Sequence, residues 1–412
     1  MEESLLVQLQ QSTSSWTDVG YLHSSNNRIW LDFLESYWNL PDRPVLGQVF
    51  EERGRVWSPS SRVALPNWFS HLLPEGRLRQ AVADAVDANV RNEFELLKRL
   101  GISDLPGAVR VVPVDAAGVV DVPQLAELEE IRDAGDPLLK FSLAGAQLKF
   151  SVYGTVGRGM TVPVAGQAGN VILKLADGRP GFGGVPESEF GCLRLAAESG
   201  IKAANARLMD PRSVAGLEGW AARSSGLALA VDRFDRRPDD VRIHMEELAQ
   251  VLSIPTTENA KYSRANFETV AVLVEALCGT DAVAEVIDRI VLNVLVGNGD
   301  AHLKNWAVVY ADGVHPGLSP VYDVLPTVLY LPKDDLGMKL NKSRDFEDVA
   351  FESFDRIGRR TAYGSIQAQV RARDAAGRIL SSWPILSDHL SNEAFRALTV
   401  RLSTLRLAGA RS

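Results

Sequence analysis

The pattern of apolar and polar positions over roughly the first 125 residues predicts a small α/β unit. Residues 45–50 alternate in the way that a half-buried strand does, and residues 107–113 predict a second strand. Between these two segments, apolar residues recur at helical spacing over 66–73 and over 78–100. We therefore expect a separate N-terminal subdomain over residues 1–125.

The pattern changes between residues 126 and 240 to short strands that are broken by glycine-rich turns. An acidic, helix-prone stretch ends at the Gly-Asp-Pro sequence of residues 135–137, which favours a boundary between two units. We expect a small sheet that carries a single helix. Strands are predicted over 151–154, 160–164, 170–175, 209–214, 219–223 and 227–234, and the helix over 187–199.

From residue 241 to residue 412 the spacing of apolar residues is mostly helical. Helices are predicted over 245–252, 266–277, 282–297 and 394–407. A β-rich lobe followed by a helical lobe is the layout of protein kinases, although layout alone says little about function. The predicted fold class is α+β, with a protein-kinase-like bilobal fold. A β-rich N-lobe (126–240) and an all-helical C-lobe (241–412) would follow the N-terminal subdomain.

Composition and charge narrow the class of protein. With 46% hydrophobic and 23% charged residues, the 412-residue chain resembles soluble globular proteins. Its net charge of −8 argues against direct, tight binding of nucleic acid, which usually needs a basic surface. The sequence predicts neither a signal peptide nor a membrane span. Cys192 and Cys278 form no Cys-x-x-Cys motif, which argues against a structural zinc site or a disulfide framework and fits a cytoplasmic protein.

The strongest chemical signal lies in residues 298–305, Asn-Gly-Asp-Ala-His-Leu-Lys-Asn, together with Asp323. Phosphoryl transfer needs a carboxylate that accepts the substrate's hydroxyl proton and oxygen ligands that hold Mg²⁺. Protein kinases use a loop Asp, an Asn five residues later and a second Asp farther along. Asp300 and Asn305 have this interval, and a predicted hairpin over 306–321 would return Asp323 to their side. Singly, the first motif fits a simple turn and Asp323 fits a helix cap, but together they favour a metal site.

Residues 298–305 and 321–326 together resemble the catalytic and metal-binding loops of the HipA toxin kinases. The resemblance covers nearly the whole chain, and four separated motifs in the same order are difficult to obtain by chance. The further matching segments are residues 67–75, 141–149, 171–175 and 231–237.

The resemblance implies a role for each residue of the predicted phosphotransfer site. Asp300 would be the catalytic base, and Asn305 and Asp323 would bind Mg²⁺. Lys174 ends an apolar strand and would contact the phosphate oxygens of ATP, although exposed lysines after strands are common without such a role.

A glutamate in the N-lobe helix would pair with Lys174, as the corresponding glutamate does in kinases. Glu189 is the preferred candidate and Glu187 remains an alternative, since an acid in the first turn can simply stabilise the helix. The segment that links the lobes contains Asp232 and Phe234, and in the family it presents backbone groups to adenine.

Asp235 and Arg236 follow that segment, and the sequence fits an ordinary solvated turn there equally well. His302 could act as a base, but packing or hydrogen bonding within its loop is favoured because the chemistry needs only the aspartate. Lys304 would contact the transferred phosphate or be a solvated lysine. Both His302 and Lys304 are counted among the residues expected at the ATP site.

The segment 142–149 has one glycine where ordinary kinase glycine-rich loops have three, so the general motif does not match. Its small residues would still let backbone N–H groups approach phosphate oxygens. In the family this loop covers ATP and carries a regulatory serine, which Ser142 matches. A phosphate on Ser142 would repel bound triphosphate, although a serine before a turn is usually a cap. The residues implied in ATP binding are Ser142, Ala144, Gly145, Ala146, Gln147 and Lys149.

The resemblance implies the toxin half of a toxin–antitoxin pair. The chain would use ATP and Mg²⁺ to phosphorylate a serine or threonine of a protein, and family targets include aminoacyl-tRNA synthetases. Its partner would be a small helix-turn-helix antitoxin like HipB, in a complex where two copies of the chain could pair. DNA would be contacted mainly through that antitoxin, in keeping with the acidic charge.

Two other functions stay open. A catalytically silent partner of the antitoxin would tune repression at DNA, but a retired kinase usually loses one of its site residues, and all are present here. A small-molecule kinase is the second, with sugar or antibiotic substrates favoured over lipids because the sequence has no basic membrane patch. Asp323 is followed by Val324 and Leu325 rather than Phe-Gly, so ordinary kinase activation switching is not expected.

Overall fold

The computed structural model describes most of the chain between residues 2 and 409. The residues outside the description include the predicted acidic helix and most of the predicted phosphate-contacting loop, Ser142, Ala144, Gly145, Ala146 and Gln147. The undescribed positions within this range are 12–14, 56, 76–78, 81–82, 85–87, 103, 116–148, 156–158, 162–167, 177–180, 223, 225, 240, 258 and 332.

A five-stranded antiparallel sheet forms the centre of the N-terminal subdomain. The strand order is β4-β3-β2-β1-β5. The predicted strand over 107–113 is confirmed as β5. The strands are β1 (Glu3–Gln10), β2 (Trp16–Ser25), β3 (Arg28–Phe33), β4 (Ser60–Arg62) and β5 (Val109–Val114).

Four helices whose bounds lie entirely within the described residues accompany this sheet, and the structure corrects two of the sequence predictions here. The segment 45–50 is not a strand, because Tyr37 Oη accepts the N–H of Leu46 at 3.1 Å and the Glu246 carboxylate accepts that of Gln48 at 3.0 Å, so neither donates to a sheet. The helix predicted over 78–100 is only partly right: described residues 79–80 and 83–84 are helical, residues 88–92 interrupt the helix, and a second helix starts at Glu93, where the Asn92 side chain caps it. The helices are α1 (Glu35–Trp38), α2 (Gln48–Arg53), α3 (Asn67–Ser70) and α4 (Glu93–Leu100).

The second sheet has six strands in the order β10-β7-β6-β8-β11-β9 and carries helix α5. The predicted strands over 209–214 and 219–223 were wrong, because Asp210 caps a 3₁₀ turn at Pro211–Ser213 and residues 218–221 form a helical turn. The elements are β6 (Lys149–Thr155), β7 (Gly159–Thr161), β8 (Val171–Lys174), α5 (Val185–Glu198), β9 (Ala206–Met209), β10 (Val214–Ala215), α6 (Glu218–Ala221) and β11 (Ala228–Asp232).

The C-lobe is mostly helical but also contains a three-stranded sheet, β12-β13-β14. The helix predicted over 245–252 starts only at Leu248, because His244–Glu247 pairs with β13. The predicted hairpin is confirmed as β13 and β14. The elements are β12 (His244–Glu247), α7 (Leu248–Val251), α8 (Ala260–Ser263), α9 (Phe267–Cys278), α10 (Ala282–Val296), β13 (Ala307–Tyr310), β14 (Gly317–Leu318), α11 (Asp355–Arg360), α12 (Ser365–Ser382) and α13 (Asn392–Arg401).

Two large cores hold these elements together. One lies among the C-lobe helices around α10, of which Val286, Ile290 and Val294 are fully buried. The other is shared by the N-terminal sheet and the β6–β8 sheet, since Leu5 and Leu173 belong to the same cluster. The predicted boundaries near residues 125 and 240 stay predictions. No helix in the described part of the chain is both long and apolar enough to cross a bilayer.

The buried carboxylate of Glu246 connects the N-terminal subdomain to the C-lobe. It accepts hydrogen bonds from Trp68 Nε1 at 2.7 Å, from the Gln48 N–H at 3.0 Å and from Tyr310 Oη at 2.5 Å. Burial raises the pKa of Glu246 to about 7, despite these three donors. The N-terminal subdomain is therefore fixed against β12 and β13, and β13 directly follows the predicted catalytic loop.

Candidate active site

Two lysines and two carboxylates form a compact cluster between the lobes. Lys149 and Lys174 are direct neighbours across strands β6 and β8. Lys149 Nζ lies 2.9 Å from Asp323 Oδ2, while Lys174 Nζ contacts both Asp323 Oδ1 and Glu189 Oε1. The structure thus brings together, from four separate segments of the chain, two lysines that were expected to bind ATP, an aspartate that was expected to bind Mg²⁺ and the glutamate that was expected to pair with Lys174.

Burial and mutual attraction set the charges of this cluster. Burial alone would lower the pKa of Lys174, but the charges of Asp323 and Glu189 outweigh it and raise the pKa. Burial would raise the pKa of Asp323, but the two lysines hold it well below its usual range. The pKa of Glu189 is raised, first by burial and then by the charge of Asp323. Lys174 therefore keeps its charge at neutral pH, although its side chain is only 4% exposed.

The position of Glu189 on α5 decides which glutamate contacts Lys174. Helix α5 starts at Val185, and Glu189 lies one turn into it, on the buried face that packs against the sheet. Glu187 is half-buried and makes no ion pair with Lys174. The choice left open by the sequence is therefore resolved geometrically in favour of Glu189.

The loop after α10 carries Asp300 and Asn305. The helix ends at Gly297, whose positive φ of 75° suits glycine, and the chain then turns sharply. The Asn298 side chain accepts the N–H of Asp300 at 3.1 Å, and Asn305 Nδ2 donates to the Asp300 carbonyl at 2.7 Å. The second bond leaves the Asn305 amide oxygen available as a ligand. The Asp300 side chain is 53% exposed, so its carboxylate is open to solvent.

Asp323 returns to this loop from the β13–β14 hairpin. Val321 pairs with the segment after α5, since its N–H donates to the Lys202 carbonyl at 2.8 Å. Asp323 has a left-handed backbone conformation (φ 53°), which aspartate tolerates better than most residues. Asn305 and Asp323 line the same crevice. Their carboxylate and amide oxygens are donors that Mg²⁺ prefers, so this part of the site fits the metal.

His302 and Lys304 lie in the catalytic loop but are buried. Burial lowers the pKa of His302 to about 4, so its ring is neutral at pH 7. Lys304 Nζ lies 2.7 Å from Glu75 Oε1 and 3.6 Å from Glu247 Oε2, with 4% of its side chain exposed. The structure therefore places Lys304 on two carboxylates of the protein instead of the solvated position that the sequence left open.

Glu75 is the carboxylate that pairs most closely with Lys304, and the sequence analysis did not identify it. Burial alone would raise its pKa, but the charges of Lys304 and Lys261 lower it to about 2. The only signal for it was its place at the end of the 67–75 segment that resembles the family. Glu75 and Lys304 are 229 positions apart, so no local pattern could have paired them.

The segment that links the lobes is fixed by a buried ionic network. Arg233 and Arg236 each contact both Asp104 and Asp235, at 2.8–3.0 Å, and all four side chains are at most 5% exposed. The solvated turn that was considered for Asp235 and Arg236 is wrong. Asp104 belongs to the N-terminal subdomain, so this network ties that subdomain to the linking segment.

The two other predicted residues of the linking segment point in different directions. The Asp232 side chain accepts a hydrogen bond from Arg207 Nη1 at 2.7 Å and contacts Asn205, on the β9 side of the sheet. The Phe234 ring lies 5.3 Å from the ring of Tyr322, beside the metal-binding loop. The backbone of this segment is what the resemblance assigned to adenine, but strand β11 ends at Asp232, and Phe234 and Asp235 lie in a turn.

Comparisons with known proteins give matches over most of the chain. The family model described as the HipA-like C-terminal domain matches residues 141–383, and that described as the HipA N-terminal domain matches residues 13–112. The protein named "Putative kinase Y4dM" from Sinorhizobium fredii is 37% identical over 376 residues, which is 89% of each chain. "Serine/threonine-protein kinase toxin HipA" from Shewanella oneidensis is 25% identical over 63% of this chain and 62% of its own.

A solved structure shares the fold. A chain in the complex of Shewanella oneidensis HipA, HipB and operator DNA matches with a TM-score of 0.70 and 18% identity, over 98% of this chain and 96% of that chain. The predicted α+β, kinase-like fold class is thereby confirmed, with the C-lobe sheet as an addition to the predicted helices.

Proposed function

The chain belongs to the HipA family, and from that premise we propose that it is a kinase that transfers the γ-phosphate of ATP to a serine or threonine of a protein. The observation that carries the proposal is the cluster of Lys174, Glu189 and Asp323 beside the loop of Asp300 and Asn305. Each residue type that phosphoryl transfer requires is present there.

The lysines of the cluster would bind the nucleotide. Lys174 is charged and held by Glu189, so its ammonium is oriented before the phosphates arrive. Lys149 places a second positive charge beside it. Because the surroundings are largely buried, attraction to phosphate oxygens is screened less than it would be in water.

Asn305 and Asp323 would hold Mg²⁺, which neutralises charge on the phosphate oxygens when bound. Within the described residues, no group of three or more His, Cys, Asp or Glu side chains is close enough to bind a metal by itself. Two protein ligands, completed by phosphate and water, are the usual arrangement for Mg²⁺ in kinases.

Asp300 would accept the proton of the substrate hydroxyl. Its carboxylate is half exposed, and the two loop hydrogen bonds to its backbone fix its place relative to Asn305. A neutral, buried His302 is poorly suited to the same task, because its ring is removed from solvent. The roles of base and metal ligand are thus divided as in other kinases.

Regulation and partners form the finer part of the proposal. We propose that phosphorylation of Ser142 inhibits the enzyme and that a HipB-like helix-turn-helix antitoxin binds the chain, as HipB accompanies HipA in the similar complex. The chain's charge of −8 supports contact with DNA mainly through that antitoxin. The proposed substrate class is a translation protein such as an aminoacyl-tRNA synthetase.

Phosphoproteomics of cells that express the wild type or Asp300→Ala, with growth recorded in parallel, tests this function. We expect phosphorylated serine or threonine sites and slowed growth with the wild type alone. Identical phosphopeptides and identical growth would refute the kinase-toxin proposal. If the wild type binds the antitoxin tightly but transfers no phosphate, a silent co-repressor is the better description. Mapping of phosphorylated sites on the purified chain after incubation with ATP tests Ser142 separately.

A further inference from the structure

The carboxylate of Asp300 is held by a tyrosine that no sequence motif singled out. Tyr262, on the short helix α8, donates its phenolic hydrogen bond to Asp300 Oδ1. The Nε2 atom of His302 lies 3.7 Å from the same oxygen. Among the described residues, no side chain hydrogen-bonds to the other oxygen, Oδ2.

The Tyr262 ring is itself fixed in place. It packs edge-on against the His302 ring, with centroids 5.0 Å apart and an interplanar angle of 71°. His302 is buried within the catalytic loop, so it forms a rigid support for the tyrosine. Lys261 Nζ lies 5.4 Å from the centroid of the same ring.

The phenol is a permanent donor under ordinary conditions. Burial raises the pKa of Tyr262, and the charge of Asp300 raises it further. The hydroxyl therefore keeps its proton over the range in which a kinase works. A phenol hydroxyl that donates to a carboxylate forms a charge-assisted hydrogen bond, which is stronger than one between neutral groups.

A half-exposed aspartate needs such a restraint to serve as a base. Its side chain would otherwise sample several rotamers, and only some present an oxygen to the substrate hydroxyl. With Oδ1 bound to Tyr262, the carboxylate plane is fixed and Oδ2 is the oxygen left for the substrate. Hydrogen bonds to the loop backbone fix the position of the Asp300 main chain. The hydrogen bond from Tyr262 fixes the orientation of its carboxylate.

We propose that Tyr262 is a positioning residue that orients the Asp300 carboxylate so that Oδ2 receives the proton of the substrate hydroxyl. The inference rests on the proposed phosphoryl transfer and adds to it a residue outside the loops that resemble the family. In this arrangement His302 supports the tyrosine ring rather than the nucleotide.

The tyrosine hydroxyl could instead compete with the substrate for the base, in which case it would have to leave before each reaction. The packing of the ring on buried His302 favours a fixed support over a mobile competitor. The two roles predict opposite effects of removing the hydroxyl, so one variant separates them.

Tyr262→Phe keeps the ring and removes only the hydroxyl. We expect kcat for protein phosphorylation to fall about 10-fold, because misorientation of a catalytic group by about 1 Å can cost up to about 100-fold. The KM for ATP and the urea midpoint of unfolding should stay at their wild-type values. Tyr363→Phe, which removes a phenol from a partly buried C-lobe residue away from the site, is the matched control and should behave as the wild type.

A double variant tests whether Tyr262 acts through Asp300. If it does, Tyr262→Phe should cause no further loss in an Asp300→Ala background. An additive loss, a wild-type kcat in Tyr262→Phe, or a raised kcat/KM for the protein substrate would each overturn the inference while leaving the kinase function intact. A wild type that transfers no phosphate would refute the proposed function itself, and this inference with it.

Discussion

The buried network of Asp104, Arg233, Asp235 and Arg236 gives the most quantitative prediction of stability. Two arginines and two aspartates share four ion pairs, and every side chain is almost fully removed from solvent. The nearby Arg242 is also buried, and burial lowers its pKa to about 9, so it remains charged at pH 7. The two aspartates therefore carry fewer negative charges than the three buried arginines carry positive ones.

Asp104→Asn removes one of the two negative charges without changing the size of the side chain. In the wild type, Asp104 Oδ1 lies 2.8 Å from Arg233 Nη1 and 3.0 Å from Arg236 Nη2. In the variant, Asp235 would be the one carboxylate left to pair with both arginines. Breaking a buried pair by neutralising one partner costs about 3–5 kcal/mol, because a buried charge is left uncompensated. We expect a loss of unfolding free energy of that size, which is a large fraction of the stability of a typical domain.

Urea unfolding of the purified variant measures this loss, with Asp210→Asn as the control. Asp210 pairs with Arg212 on the surface, so its variant should unfold at the wild-type midpoint. Adding Arg236→Met to Asp104→Asn restores the balance of charge and should recover part of the lost stability. Equal midpoints for Asp104→Asn and the wild type would refute the reasoning, as would a second substitution that only adds to the damage.

Three further predictions concern other contacts. Burial raises the pKa of Glu246 from 4.5 to about 7, so the folded protein binds this proton more tightly than the unfolded chain does. The unfolding free energy of the wild type therefore falls by about 3 kcal/mol as pH rises from below 4.5 to above 7. Denaturation of Glu246→Gln should therefore show its stability relative to the wild type growing between pH 5 and pH 8; a constant difference would contradict this. A Cβ on Gly299 would lie 2.1 Å from Asp334 Oδ2, so Gly299→Ala should lower kcat and cost about 1–3 kcal/mol in denaturation. Gly377→Ala, where a Cβ meets nothing within 4 Å, should do neither, and equal behaviour of the two variants would exclude the steric argument. Glu75→Gln weakens the ion pair that holds the catalytic-loop lysine, so steady-state assays should show a lower kcat with an unchanged KM for ATP; a changed KM alone would place that lysine at the nucleotide.

The sequence predicted the parts of the site that lie close together in the chain. Asp300 and Asn305 are five residues apart, and the hairpin that brings Asp323 back was visible as strand, turn and strand. Helix α10 was predicted because its apolar residues recur with helical period along most of its length.

Contacts between distant segments could not be predicted in this way. Glu75 and Lys304, or Asp104 and Arg233, are more than 120 positions apart, and nothing in a local pattern records their pairing. Tyr262 lies on a helix of four residues, which is too short to show periodicity.

The wrong or missing predictions for single segments also have physical causes. Residues 45–50 alternate as a strand does, but the N–H groups of Leu46 and Gln48 bond to the side chains of Tyr37 and Glu246, and helix α2 starts at Gln48. Helix α12, the longest in the described chain, was not predicted because its buried face consists mainly of small alanines, such as Ala368 and Ala372, rather than large apolar residues.

Transfer of radiolabelled γ-phosphate from Mg²⁺-ATP by the purified chain, in the presence of a protein extract, tests the central claim most directly. The account predicts label in protein with the wild type, and strongly reduced label both with Asp300→Ala, which removes the base, and with Glu189→Gln, which removes one of the two carboxylates that hold Lys174. Glu187→Gln, two residues away and without that contact, should transfer label as the wild type does. No label with the wild type, or equal label with Glu189→Gln and Glu187→Gln, would contradict the account.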